Sequence, residues 1–334
     1  MHKYKIVFSI PVHEKYEVVL DQCLNFLYFN EHCAIVLHIS QGFDEVNSAI
    51  SSFRFREIVN DIEGIYINDE SVRTGLSDII QAHISNYRYA CKTIEFEYFS
   101  MCASNELFVK SGLYEQINKY DCGVEFFQYI ERPSWEPAKY AVKDITLREI
   151  LSDFESMDIM PSHIEGSFYS NKIFNEICNA IEKHYDYRMM TVKYPREEVY
   201  FPSVLYAMIQ KNENIKIYPQ LFTLVHWNID RLVYNNMHIG LRDIRSCSKE
   251  NNSFFTVKRI DRVLNDYRRV YIRRKTSYGQ LLSHYVDLHE PNIIRIYINF
   301  FKAYVSLKYK HLLVFIKQGS YEIKYLEPSI SEFI

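Results

Sequence analysis

Short β-rich runs alternate with helical stretches through the first hundred residues, and this alternation constrains the fold more than any other feature. The strand-like runs are 5–10, 34–39, 65–67 and 96–101, and the helix-like stretches are 16–29 and 76–89. Strands separated by helices in this way form a largely parallel sheet covered by helices. The sequence therefore predicts an α/β fold whose ligands bind outside the carboxyl ends of the strands.

The rest of the chain extends this pattern and then changes in charge. Stretches 171–184 and 197–210 are helix-like, and 215–225 is strand-like. The segment 254–310 holds 12 Lys and Arg against 4 Asp and Glu, in a chain of net charge −3. Because no internal repeat or clear linker divides the 334 residues, we expect one catalytic domain over 1–258 and a helical, basic and aromatic extension over 259–334.

The extension's cations predict one of several surfaces. Its basic core comprises Arg268, Arg269, Arg273, Arg274 and Lys275, interleaved with tyrosines. Such a segment could rest on an anionic membrane, where each nearby cation adds about 1 kcal/mol. It could equally be a solvated basic face on helices packed against the catalytic domain, or an oligomer contact.

Composition and missing motifs exclude several protein classes. A pI near 6.5 argues against a nucleic-acid binder. The seven cysteines are scattered and read as reduced thiols, and no signal-peptide h-region or run of about 18 apolar residues occurs, so we expect a cytoplasmic protein. There is no phosphate loop, G-x-G-x-x-G, G-x-S-x-G or H-E-x-x-H. With 9 Gly and no Asp-x-Asp at a strand end, phosphates would be held by side chains, without a metal.

Seven sequence blocks occur in the order found in one enzyme family. They are IVFSIPVH, SVRTGLSD, FSMCASNELF, IEGSFYS, YPREEVYF, LVHWNID and FFTVKRID. Together they extend over 6–261 and resemble the core-2/I-branching glycosyltransferases, family 14, which include xylosyltransferases and N-acetylglucosaminyltransferases. The resemblance, to a bacterial type of this family, implies a GT-A fold with a Rossmann-type sheet, an inverting mechanism and no metal or other cofactor.

The resemblance implies that Glu198 is the general base, which removes the proton of the acceptor hydroxyl. Its neighbour Glu197 is either the true base or a solvated neighbour. The alternative is that both are acidic residues favoured by the dipole of a helix's first turn.

A metal-free leaving group needs cations, and the resemblance implies Lys258 for the diphosphate, with Arg242 or Arg245 as its partner. Lys258 and Arg259 could instead form a surface basic patch. The other residues implied to hold the nucleotide are Pro11, Val12, His13, Ser40, Arg73 and Ser77. Ser40 stands where the family has a carboxylate that contacts the nucleoside, which leaves the base open. His13 and the nearby His38 could also be structural.

The donor and acceptor sugars are implied to lie near Ser104, Asn105, Glu106, Glu165, Gly166 and Trp227. Glu106 would bind donor hydroxyls or shape the site, and Trp227 would stack on a sugar or belong to the core.

The expected activity is transfer of a hexosyl, pentosyl or N-acetylhexosaminyl group from a nucleotide sugar, UDP-linked in preference, to a hydroxyl of a cell-surface glycan. The acceptor would be a glycan or a lipid-linked glycan, met at the inner face of a membrane by peripheral contact. Two alternatives stay open: the same fold with a CMP-linked acidic sugar, or a non-catalytic glycan-binding protein.

Overall fold

A computed structural model describes residues 2–47, 50–71, 74, 79–127, 136–185, 194–225, 239–258 and 260–288. The strands in these ranges are β1 Lys3–Val12, β2 Cys33–Ile39, β3 Ile65–Ile67, β4 Glu95–Met101, β5 Glu106–Phe108, β6 Cys122–Gly123, β7 Phe168–Ser170, β8 Ile217–Tyr218, β9 Thr223–Leu224 and β10 Thr256–Lys258. The helices are α1 Tyr16–Phe29, α2 Phe43–Val46, α3 Ser52–Asn60, α4 Ile79–Thr93, α5 Leu113–Ile117, α6 Glu136–Ala141, α7 Ile145–Ser152, α8 Asn171–His184, α9 Glu197–Lys211, α10 Leu241–Cys247, α11 Tyr267–Arg274 and α12 Tyr278–Leu282.

Seven strands form one sheet in the order β3-β2-β1-β4-β7-β6-β8. β1 runs parallel to both neighbours, with Ile6 opposite Cys33 in β2 and Tyr98 in β4. β7 is antiparallel to β4 and β6, and β8 is parallel to β6. From β1 the sheet grows in one direction through β2 to β3, and the chain then crosses back so that β4 pairs with the opposite edge of β1. The ligand crevice expected at such a reversal therefore lies beyond the carboxyl ends of β1 and β4. The predicted α/β fold with a mostly parallel, helix-flanked sheet is confirmed.

Helices cover both faces of the sheet because alternate side chains of a strand point to opposite sides. Ile6, Phe8 and Ile10 of β1 belong to the core beneath α1, whereas Val7 belongs to the core beneath α4, α8 and α9. Burial on both faces is what the apolar parallel strands require. None of the helices in the described ranges has the length and apolar character of a bilayer span.

Element bounds follow the sequence closely where the periodicity is long. α8 begins and ends where predicted, and its Ncap Ser170 accepts a hydrogen bond from the Ile173 N–H through its side chain. β1 is longer than expected, because it continues past the predicted stop at Pro11, which lies opposite His38 in β2. The single strand predicted over 215–225 is wrong. It is divided into β8 and β9 in two different sheets, and Pro219, which cannot donate to a ladder, follows β8 directly.

Three arginines of the extension are neither solvated nor available to a membrane, whereas the described Arg262 and Arg274 are exposed. Arg268, Arg269 and Arg273 on α11 are buried. Asp21 of α1 is buried too, and its two carboxylate oxygens lie 2.8 Å from Arg269 Nη1 and 3.0 Å from Arg273 Nη1. Arg268 pairs with Asp266 at 2.8 Å. For these three residues the expectation of an exposed basic surface is wrong, and two of them, Arg269 and Arg273, anchor α11 to α1. Residues 289–334 lie outside the described ranges.

Candidate active site

Side chains that come from distant parts of the sequence meet beside a second, three-stranded sheet. Here β10 lies between antiparallel β5 and parallel β9, and the register sets Lys258 opposite Glu106. The loop before β7 carries Glu165 and Gly166 to this sheet, and the first turn of α9 carries Glu198. The structure thus brings together five of the residues singled out from the sequence. Their chemical roles stay predictions.

Glu106 is fully buried beneath this cluster. The hydroxyls of Thr223 and Thr256 both donate to its Oε1, at 2.6 Å for Thr256, and the Ala103 N–H donates to its Oε2 at 3.3 Å. Burial raises the pKa of Glu106 to about 7, with the nearby charge of Glu165 adding to the rise, although the two threonine hydroxyls oppose it. Glu106 therefore holds β5, β9 and β10 together rather than facing solvent. We expect its ionisation to make the protein's stability depend on pH.

That dependence has a definite sign. Below pH 4.5 the contribution of protonated Glu106 to the free energy of unfolding is fully present. This contribution is lost as the pH rises to about 7, because the folded protein then keeps a proton that the unfolded chain has released. The shift corresponds to about 3 kcal/mol at 1.36 kcal/mol per pKa unit. Glu106→Gln, which keeps both threonine hydrogen bonds but cannot ionise, should lack this loss. Urea unfolding at pH 5 and pH 7.5 compares the two proteins, and parallel pH dependences would contradict the prediction.

Glu165 forms an ion pair with Lys258, whose Nζ donates to its Oε1. Both side chains are largely buried. Burial alone would raise the pKa of Glu165, but the charges of Lys258 and His163 outweigh it and hold this pKa below its ordinary value. Lys258 therefore faces the site as a cation paired with a carboxylate. Lys258 is therefore not solvated, and Arg259, the other residue of the alternative surface basic patch, lies outside the described residues.

Gly166 makes the close approach between this loop and β9 possible. Its φ is +78°, and a Cβ built on it would lie 2.3 Å from Thr223 Oγ1 and 2.5 Å from the Thr223 backbone nitrogen. Its carbonyl accepts the Phe222 N–H at 3.0 Å. Only glycine satisfies both the left-handed backbone and the contact.

We expect Gly166→Ala to lower the free energy of unfolding by about 2–4 kcal/mol, since left-handed strain and overpacking each contribute about 1–3 kcal/mol. Gly42→Ala is the matched control. A Cβ at Gly42 would meet only Glu45 Oε2 at 3.9 Å, and its φ is negative, so a change within about 1 kcal/mol is expected there. Equal unfolding midpoints in urea for the two variants would contradict this account.

His163 is a member of the cluster that sequence reasoning missed. Its Nδ1 lies 3.8 Å from Glu165 Oε2 and 3.7 Å from Glu198 Oε1. A usable signal was present, because in the run His163-Ile164-Glu165 two polar residues flank an apolar one and so can share one side of an extended segment.

Glu198 carries a contact to His163. The Glu198 side chain is 17% exposed, whereas Glu197 is buried at 3%. Glu197 is therefore not the solvated neighbour considered above. The backbone carbonyl of Glu198 accepts the Ser162 N–H at 2.9 Å, which ties the histidine loop to the start of α9.

His163, Glu165 and Glu198 offer ligand atoms that all lie within 4.8 Å of one another. Imidazole and carboxylate are ligands that divalent cations use. The ammonium of Lys258 already occupies Oε1 of Glu165, however, and its charge opposes a second cation there. The donor set therefore fits a resident metal poorly, and metal independence stays a prediction for the EDTA experiment below.

The predicted nucleotide residues lie at the carboxyl ends of β1 and β2. Pro11 and Val12 end β1, the half-buried His13 follows, and Ser40 is buried just beyond β2. Burial lowers the pKa of His13, with Glu14 opposing and Arg262 adding to the fall. Arg73, Ser77 and Trp227 lie outside the described residues.

A buried polar network lies beneath these strand ends and was not foreseen. His83 Nδ1 of α4 is 2.8 Å from Ser9 Oγ, and the Asn86 side-chain amide donates to the same hydroxyl at 3.0 Å. Burial lowers the pKa of His83 to about 3, helped by His38 and His13. His83 is therefore neutral at ordinary pH.

Ser104 and Asn105 form the turn between β4 and β5, where Ser104 is buried and the Asn105 carbonyl accepts the Ile260 N–H at 3.3 Å.

Arg242 is exposed on α10. Arg245 lies 5.7 Å from the ring centroid of Tyr271 and lines a cavity of about 440 Å³. That cavity is lined by Tyr28 and Phe29 at the C-terminal end of α1, whereas the N-terminal end of α1 follows the carboxyl end of β1. The 14 residues of α1 separate its two ends by roughly 20 Å, so the cavity lies about that far along α1 from the predicted nucleotide residues at the end of β1.

Comparison with known proteins gives little sequence support for any family. No protein-family model and no curated protein matches the chain. Similar solved structures include the galactosyltransferase LgtC in complex with donor and acceptor sugar analogues, at 10% identity and a TM-score of 0.39, covering 86% of this chain and 98% of that chain. An active-site mutant of LgtC gives 9% identity, a TM-score of 0.39 and coverages of 82% and 96%. Both likenesses are weak, and the geometry of the site carries the functional conclusion.

Proposed function

We propose that the protein is a metal-independent, inverting glycosyltransferase that moves a sugar from a nucleotide-sugar donor, UDP-linked in preference, to a hydroxyl of a glycan acceptor. One observation carries the proposal: the cation Lys258 and the carboxylate Glu198 lie at one site. Lys258 contacts Glu165, and His163 lies between Glu165 and Glu198. An inverting transfer needs these two charges, a base on the attacking side and a cation on the leaving side.

The transfer step follows from these roles. Glu198 accepts the proton of the acceptor hydroxyl while the hydroxyl oxygen forms a bond to the anomeric carbon. The bond between that carbon and the diphosphate oxygen breaks, and the electron pair leaves with the nucleoside diphosphate. Lys258 stabilises the negative charge that develops on the diphosphate. Electrostatic stabilisation of this kind is generally the largest single contribution to the rate enhancement of an enzyme.

The charge of the site favours an uncharged donor sugar over the CMP-linked acidic sugar considered above. The carboxylates of Glu165 and Glu198 lie at the site with one lysine and one histidine, above the buried Glu106, whose pKa of about 7 leaves it only partly charged at neutral pH. A carboxylate on the transferred sugar would be repelled by the carboxylates of Glu165 and Glu198, and this repulsion is stronger where water is excluded.

Thermal melting with a panel of UDP- and CMP-linked sugars, in EDTA, tests the proposal. A donor present at about 100 times its Kd should stabilise the protein by roughly 2.7 kcal/mol. We expect one UDP-linked, uncharged sugar to raise the Tm in EDTA. Stabilisation by glycans alone, with no effect of any nucleotide sugar, would instead support the non-catalytic glycan-binding alternative.

We also propose a peripheral contact with an anionic membrane, through the cations that stay exposed around the cavity beside Tyr271. Lys249 and Lys275 line it with Arg245, and none of its lining residues is acidic. Lys249→Gln combined with Lys275→Gln should weaken binding to phosphatidylserine vesicles about 30-fold, at about 1 kcal/mol per cation. Co-sedimentation measures this, with phosphatidylcholine vesicles as the uncharged control. Equal sedimentation of the wild type with both vesicles would contradict the contact.

A further inference from the structure

His163 links the two ends of the proposed reaction site. Its Nδ1 lies 3.7 Å from Glu198 Oε1 and 3.8 Å from Glu165 Oε2, and the other oxygen of Glu165 accepts from Lys258. The four side chains form one continuous series of contacts from the leaving-group cation to the base. His163 can therefore fix the orientation of the Glu198 carboxylate relative to Glu165 and Lys258.

The backbone fixes His163 against the base. The Ser162 N–H donates to the carbonyl of Glu198 at 2.9 Å, and the Ser162 hydroxyl donates to the His163 carbonyl at 2.9 Å. The Phe127 N–H donates to the Pro161 carbonyl at 3.2 Å, and the Phe127 ring lies 6.2 Å from the imidazole. The His163 side chain is only 8% exposed, so it is held in place by the protein rather than by solvent.

We propose that His163 is a positioning residue for the transfer reaction: its Nδ1 stands 3.7 Å from Oε1 of Glu198, beyond hydrogen-bond distance, and closes on that oxygen when the substrates bind, which leaves the second oxygen to accept the acceptor's proton. The inference rests on the proposed function and deepens it. It assigns the orientation of the base to a residue that sequence reasoning did not select.

Two physical effects require such a residue. Two carboxylates that face one small volume repel each other, and a ring nitrogen between them reduces that repulsion. Proton removal also requires the base within hydrogen-bond reach of the hydroxyl, and a misplacement of about 1 Å can lower turnover about 100-fold.

Three variants test the role of Nδ1. The side-chain amide of Asn can occupy the position of Nδ1 and donate, that of Gln reaches further along the side chain, and Leu cannot donate. We expect His163→Leu to lower kcat about 100-fold with the donor KM changed by less than about threefold. His163→Asn should recover most of that loss, and His163→Gln should recover less.

The comparison includes wild type and Glu198→Gln, and the Tm of each variant is measured alongside. Normal kcat in His163→Leu, in an enzyme that Glu198→Gln inactivates, would overturn this inference and leave the proposed function standing. An equal loss in the Asn and Leu variants, with a raised donor KM or a lowered Tm, would show a merely structural role and would also overturn it. A wild type without turnover of any nucleotide sugar would overturn the proposed function and this inference together.

Discussion

Glu198→Gln is expected to lower kcat for sugar transfer by about 10²–10⁴-fold while donor binding stays near that of the wild type. The amide has the shape of the carboxylate but cannot accept the proton of the attacking hydroxyl. The Glu198 side chain is partly exposed at the start of α9 and contacts His163, so the change affects the reacting side of the site more than the core. Turnover with donor and acceptor measures the first quantity, and the donor-induced shift in Tm measures the second.

Glu197→Gln is the matched control for this prediction. Glu197 lies in the same first turn of α9 and is buried. Its variant should keep kcat within about tenfold of the wild type, because Glu197 does not take the proton in the proposed step. The reverse pattern, an inactive Glu197→Gln and an active Glu198→Gln, would show that the base is Glu197.

Asp21→Asn is expected to destabilise the protein by about 3–5 kcal/mol, the largest stability change of any surface or core substitution proposed for this chain. Asp21 is buried on α1, and its carboxylate contacts the buried guanidinium groups of Arg269 and Arg273. Tyr278 Oη of α12 lies 3.4 Å from the same carboxylate. Removal of the negative charge leaves two buried cations without it, and it loosens the contact of α11 and α12 with α1.

Urea unfolding measures this loss, with Glu57→Gln as the control. Glu57 pairs with Arg54 at 2.8 Å on α3, but both side chains are largely exposed, and such pairs contribute about 0–1 kcal/mol. If Asp21→Asn unfolded at the same urea concentration as Glu57→Gln, the extension would not be anchored as described.

The sheet and the long helices could be predicted from sequence because each has a strong local pattern. α8 carries an unbroken helical period of buried residues and a serine Ncap, and β2 is buried throughout. The short strands could not be predicted in the same way. β9 and β10 have two and three residues, and they exist because Glu106 and Gly166 bring distant segments together.

The candidate site shows the same division. Glu198, Lys258 and Glu165 could be named from their sequence blocks, but their meeting depends on the antiparallel pairing of β5 with β10 and on the turn at Gly166. His163 stood in no block. The burial of Arg269 and Arg273 could not be predicted from the sequence, because their shared partner Asp21 lies 248 residues before Arg269 and 252 before Arg273.

The most direct test of the account is release of the nucleoside diphosphate from a panel of nucleotide sugars, measured in EDTA with a glycan acceptor present. We expect that one uncharged, UDP-linked sugar is consumed, that EDTA leaves the rate unchanged, and that Glu198→Gln lowers it by about 10²–10⁴-fold. Turnover that EDTA stops would show that the reaction needs a metal and would contradict the role of Lys258 as the leaving-group cation. Turnover that persists in Glu198→Gln would contradict the central claim that this carboxylate is the base.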